Sequence, residues 1–119
     1  MHRQGILVDQ INEAVKMIKK SRFLELEGIC SHLADADNRD DSFTKSQIEK
    51  WKKVVATFKN NFQNIKYFHL AASAGVPYSQ LQDDNIIRLG IGLYGINCSP
   101  LIKLNLRPVL QLQSVVSSV

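Results

Sequence analysis

The apolar positions of the chain follow two different periods. Ile11, Val15 and Ile18 recur at helical spacing among polar residues, which predicts an amphipathic helix over residues 10–20. Asp9 is its expected N-cap, and Lys19 and Lys20 suit its C-terminal end. Ile48, Trp51, Val55, Phe58 and Phe62 mark the face of a second, longer helix, introduced by Thr44-x-x-Gln47 as a capping box. Between the two, residues 23–31 (FLELEGICS) alternate apolar with acidic positions and then turn apolar, as a strand entering a core does, with Gly28 at a point of close approach. Residues 35–42 are too rich in Asp and Asn for regular structure. Residues 65–71 (IKYFHLA) and 86–90 (IIRLG) are short β-prone runs, separated by a turn at Ser73-Ala74-Gly75 and Pro77. Gly90, Gly92 and Gly95 then break the apolar run and allow the backbone to approach something closely. From Leu106 to Val119 the alternation has no helical period and predicts a strand that opens a different domain.

Strands alternating with helices imply βαβ units and a parallel sheet. Three strands with only two substantial helices cannot cover both faces of such a sheet. The fold class is therefore α/β, and the chain reads as a piece of a larger α/β fold.

Composition narrows the classes further. A chain of 119 residues, 45% hydrophobic, holds enough apolar surface for a core and is not disordered. No apolar run approaches the ~20 residues of a membrane span, and no export signal is present, so the expected location is cytoplasmic with no membrane partner. Cys30 and Cys98 lack any C-x-x-C partner, which argues against a zinc site or a disulfide framework and leaves two reduced thiols. The net charge of +4 permits nucleic-acid binding. Most lysines, however, fall opposite the apolar stripes of the two helices, where a solvated face is the ordinary outcome. The alternative is a small basic nucleic-acid-binding module, whose binding would weaken strongly between low and moderate salt.

Reactive groups in parallel α/β folds stand at the C-terminal ends of strands. Here those ends carry Ser31 and His32, His69 with Ser73, and Arg88 with Gly90. Together they suit an anionic, planar ligand. Singly, a strand-end histidine is also a structural residue and a serine in such a turn is also a turn former. Arg88 stands apart, because an arginine flanked by Ile86, Ile87 and Leu89 is costly to bury without a partner.

Four motifs in order resemble a known family. His2-Arg3-Gln4-Gly5 is similar to the Met-x-Arg-x-Gly of alanine racemases, and residues 28–37 (GICSHLADAD) to their G-x-x-S/T-H-F/L-A-x-A-D. Residues 69–75 (HLAASAG) resemble H-x-A-N-S-A-A/G, and residues 88–95 (RLGIGLYG) resemble R-x-G-I-x-x-Y-G. A following L-x-P-V-L-x-L-x-S-x-V extends the resemblance over essentially the whole chain. Position 72 departs from the pattern, being Ala where the family usually has Asn.

The resemblance implies a partial TIM-type (β/α)8 barrel over residues 1–97, binding pyridoxal 5′-phosphate (PLP) at its mouth, and the first strand of an antiparallel β domain over residues 98–119. It implies that Arg88 hydrogen-bonds the pyridine nitrogen, that His32 holds this arginine, and that Arg3 lies near the phenolic oxygen. Ser73 and the backbone N–H groups of Gly90 and Ile91 would bind the phosphate. The activity implied is interconversion of L- and D-alanine, supplying D-alanine for peptidoglycan, by a homodimeric enzyme. A related PLP racemase of another amino acid is the neighbouring alternative. The family's Schiff-base lysine and tyrosine base match none of the ten lysines and three tyrosines here, so the chain is expected to be an interior fragment without activity alone.

Overall fold

The structure is a computed structural model that describes residues 4–81 and 84–118. Two helices and two short strands alternate: α1 (Ile11–Lys20), β1 (Gly28–Cys30), α2 (Ser42–Asn61) and β2 (Tyr67–His69). The strands pair in parallel with Gly28 opposite Tyr67, Ile29 opposite Phe68 and Cys30 opposite His69, joined by α2 as a βαβ crossover. The chain then runs through a 3-10 segment, Ser73–Leu81, and returns along the other edge of β2, where Ala72 and Arg88 form one parallel bridge. A last 3-10 turn spans Ile91–Tyr94.

The α2 face is the one its periodicity predicts except at Phe62, which lies just past the helix end in extended backbone and is only partly buried. Ile48, Trp51, Val55 and Phe58 are all buried, and with Leu33, Phe68, Leu70 and Tyr78 most of them form the core between helix and sheet. Phe58 turns instead toward Ile11 and Val15 of α1, making a smaller cluster. Each such side chain contributes about 1.5–3 kcal/mol on burial, so α2 is held by its sheet contacts far more than by its propensity. Gly28 has the predicted close approach: a Cβ there would sit 2.7 Å from the Tyr67 Cβ.

Several local expectations are corrected. Leu7 is extended and the chain enters a 3-10 turn at Val8–Gln10, so Asp9 already lies inside helical backbone and Gln10 takes the N-cap position of α1. Thr44 and Gln47 form no capping box, because α2 starts at Ser42 and places both within the helix. Their side chains reach back instead: Thr44 Oγ1 donates to the Asp35 carbonyl at 3.1 Å, and Gln47 Oε1 accepts from the Ala34 N–H at 2.9 Å. Both bonds tie down the loop after β1. The strands are shorter than their patterns. Residues 23–26 have no neighbouring strand among the described residues, and Phe23 is 95% exposed. Residues 86–90 contribute the single bridge at Arg88 rather than a full strand. Residues 106–118 form no strand; among the described residues, the one backbone bond of this segment to the rest is Val109 N–H to the Tyr94 carbonyl at 3.2 Å. Alternation makes a strand only where a neighbour supplies a ladder of hydrogen bonds, and residues 94–95, which pack against residues 107–109, supply a single one.

Candidate functional site

Parallel pairing sends the exits of β1, β2 and the Arg88 segment to one edge of the sheet. There His32, Ser73, Arg88, Gly90 and Ile91 line a single cleft of about 420 Å³, together with Cys98. These are five of the six residues that the resemblance assigns to the cofactor; the strand-end candidates Ser31 and His69 do not line it. Arg3 lies outside the described residues.

Arg88 ties the strand ends together. Its Nη2 donates to the carbonyls of Ser31, just past β1, and Leu70, just past β2, and its backbone N–H donates to the Ala71 carbonyl at 3.1 Å. No carboxylate forms an ion pair with it among the described residues; the ion pairs there are surface lysine contacts such as Lys45 with Asp41 and Lys66 with Glu27. The charge is thus held by carbonyl dipoles, while its Nε is buried without a partner. The result is a positive charge at the cleft that no ion pair among the described residues neutralises.

His69 shares this environment. Burial holds its imidazole below the usual histidine range and the Arg88 charge adds to the effect, with Asp84 opposing them. It is therefore neutral at pH 7, with Nδ1 buried and unpartnered. His32 stands exposed on the rim, next to the Ser31 carbonyl that Arg88 takes.

Ser73 and the glycines form the polar floor. Ser73 Oγ accepts from the N–H groups of Gly90 at 3.0 Å and Gly92 at 3.1 Å, so two backbone donors converge on one oxygen. Of the three glycines expected at close approaches, Gly92 would press a Cβ to 3.3 Å from Ser73 Oγ, and Gly95, at φ +81°, would overlap the Arg107 carbonyl. Gly90 differs: a Cβ there meets nothing within 4 Å, so this stretch faces open space. With its oxygen accepting from both N–H groups, the Ser73 hydroxyl keeps its proton to donate, and beside an arginine such a donor suits an oxyanion, above all a phosphate group. Among the described residues, no lysine lines the cleft. A second cavity of about 400 Å³, behind β1, is lined mainly by core side chains such as Ile11, Ile29 and Phe58 and offers little to a charged ligand.

Sequence reasoning passed over Asp84 and Asn85. Asp84 Oδ2 accepts from the N–H groups of Leu70 at 2.8 Å and Ala71 at 3.3 Å, and its Oδ1 accepts from the Trp51 indole at 2.9 Å. Asn85 bonds the Phe68 N–H at 2.9 Å and the Lys66 carbonyl at 2.6 Å. In sequence the pair looks like an ordinary polar turn before an apolar run. Nothing in the spacing marks it as an edge clamp.

Known proteins place this arrangement. The family model described as alanine racemase, N-terminal domain, matches residues 1–98. The alanine racemase of Borreliella burgdorferi is 38% identical over 121 aligned residues, covering 98% of this chain and 32% of that protein. That of Methanococcus maripaludis is 33% identical and covers all of this chain and 33% of its own length. Among solved structures, the alanine racemase of Bacillus anthracis with bound L-Ala-P superposes with a TM-score of 0.76 at 30% identity, over 91% of this chain and 29% of that one. The chain thus spans about a third of the length of these relatives. With a family match over most of its length and a fold shared with solved racemases, the chain belongs to the alanine racemase family.

Proposed function

We propose that residues 1–97 are part of the PLP-binding (β/α)8 barrel of an alanine racemase and that residues 98–119 begin its β domain. The family match, which ends at residue 98, supports this division. The observation that carries the functional reading is the convergence of Ser73, the Gly90 and Gly92 N–H groups and Arg88 on one cleft. These residues fit PLP: the N–H cradle and open space at Gly90 suit its phosphate, and the un-neutralised Arg88 suits its ring nitrogen.

PLP, when bound, supplies an electron sink for the Cα of an amino acid. Ser73, Gly90 and Ile91 would hold and orient its phosphate. Arg88 would face the ring nitrogen, to which a guanidinium can donate a hydrogen bond but, as a very weak acid, does not hand over a proton. His32 supports Arg88 from the exit of β1, and Arg3 serves the phenolic oxygen. The covalent lysine and the opposing tyrosine base come from outside this segment. The substrate is alanine, on the strength of the relatives' names. The intact enzyme is a cytoplasmic homodimer that provides D-alanine for the cell wall. No helix among the described residues is long and apolar enough to cross a membrane.

The test is a titration of this chain with PLP and with pyridoxal, which lacks the phosphate, followed by quenching of Trp51, the sole tryptophan. Saturable binding of PLP, at least about tenfold tighter than pyridoxal, is the expected result, from the charge-assisted phosphate bonds. Equal quenching by both compounds overturns the cofactor assignment.

A further inference from the structure

The segment that carries Arg88 lacks what normally sets a strand in register. It makes one isolated bridge to the β2 side, at Ala72 and Arg88, where a regular strand would have a ladder. Register still matters here, because a slip of one residue turns every side chain to the other face of the sheet and would take Arg88 out of the cleft. Backbone bonds are few: the Asn85 and Ile86 N–H groups donate to the Phe68 carbonyl at 3.1 and 3.3 Å, and Arg88 N–H to Ala71 at 3.1 Å, which leaves room for side chains to share in holding it.

Asp84 and Asn85 are placed to do so. Asn85 grips both sides of Phe68, through the Lys66 carbonyl and the Phe68 N–H. Asp84 takes the next free donors along the same edge, Leu70 and Ala71, and fastens them to α2 through Trp51. The rungs that follow are the functional ones: Arg88 on the Leu70 and Ala71 carbonyls, then Gly90 and Gly92 on Ser73. The Asp84 and Asn85 side chains thus join the backbone bonds to the Phe68 carbonyl as the first rungs of a ladder whose last rungs are the candidate site.

We propose that Asp84, with Asn85, is a positioning residue that pins the register of residues 86–92 against β2 and so presents Arg88 and the Ser73, Gly90 and Gly92 cradle to the cleft. The link to a cofactor rests on the reading of this cleft as a PLP site; the pinning does not. Asp84 touches no ligand in this scheme and acts through the Leu70 to Ser73 backbone.

The experiment compares Asp84→Leu with Val55→Ala, a core substitution at a residue 2% exposed that serves as a control for general destabilisation. In the full chain, the backbone amide NMR signals of Gly90 and Gly92 are expected to shift in Asp84→Leu and to stay in place in Val55→Ala. Trp51 emission should change as well, since its indole N–H loses its acceptor. PLP affinity should fall by about tenfold in Asp84→Leu and hold in the control. Asp84→Asn, which keeps one acceptor oxygen, should lie between wild type and Asp84→Leu, and it supplies the measurement if Asp84→Leu does not fold. Unmoved Gly90 and Gly92 signals in a folded Asp84 variant overturn the proposal. Absence of PLP binding by the wild-type chain counts against the cofactor reading instead, and the amide signals then decide the pinning alone.

Discussion

Arg88 Nη2 lies 2.9 Å from the Leu70 carbonyl, and the same nitrogen also bonds the Ser31 carbonyl, so one guanidinium joins the exits of both strands. The residue proposed to meet the cofactor is also a structural tie between β1, β2 and the returning segment. Function and stability therefore respond together to its substitution.

Arg88→Leu should destabilise the chain, because two carbonyls lose a charge-assisted donor. Each such loss costs about 1–3 kcal/mol, moderated where water replaces the donor. Urea unfolding of the two chains measures it, and a midpoint unchanged within error would show that the tie contributes nothing. In the intact enzyme, Arg88→Lys should keep the charge yet lose the fixed fork, lowering the racemisation rate by at least about tenfold. Chiral analysis of alanine after incubation gives that rate.

How much of this was legible in the sequence depended on whether a feature was local. The α2 face was legible because Ile48, Trp51, Val55 and Phe58 repeat at helical spacing and all four are buried. The site was legible for a similar reason: strand-end positions put His32, Ser73 and Arg88 at one cleft. Thr44 and Gln47 were misread because a capping pattern records residue types and spacing, while the true helix start was set by the turn at residues 38–42. Asp84 and Asn85 were invisible because their role lies in contacts to Trp51, Phe68 and Leu70, far away in sequence. The alternation of residues 106–118 was real, yet a strand is a property of a pair, and these residues have no strand beside them.

Ser73→Ala should weaken PLP binding without unfolding the chain. It removes the oxygen on which the Gly90 and Gly92 N–H groups converge and takes away one phosphate ligand. A neutral to charged hydrogen bond contributes about 1.5–3 kcal/mol, so affinity should fall roughly tenfold or more while pyridoxal binding changes little. Equal losses for both compounds in the Trp51 quenching titration would place the phosphate elsewhere.

Gly28→Ala should disturb the sheet. The new methyl would lie 2.7 Å from Tyr67 Cβ and 2.8 Å from the Tyr67 carbonyl oxygen, and backbone cannot swing aside as a side-chain tip does. Overpacking of this kind costs about 1–3 kcal/mol. The thermal midpoint should drop accordingly, and a variant as stable as wild type would mean that β1 and β2 separate freely by several tenths of an ångström.

The last expectation concerns pH. His69 has its pKa lowered from 6.5 in the folded chain, by burial first and the Arg88 charge second. Below the unfolded value the unfolded chain binds the proton that the folded chain refuses, so this residue's contribution is whole above about pH 6.5 and is lost as pH falls through the folded pKa. His69→Asn should therefore lose less stability than wild type when urea midpoints are compared between about pH 7.5 and pH 5.5. Arg88→Leu separates the two causes: with the charge gone and burial kept, the His69 ring-proton titration followed by NMR should move up toward the ordinary value but stop short of it. A His69 midpoint identical in wild type and Arg88→Leu would show that the guanidinium does not act on the imidazole, and the shared electrostatic environment at the cleft would be lost with it.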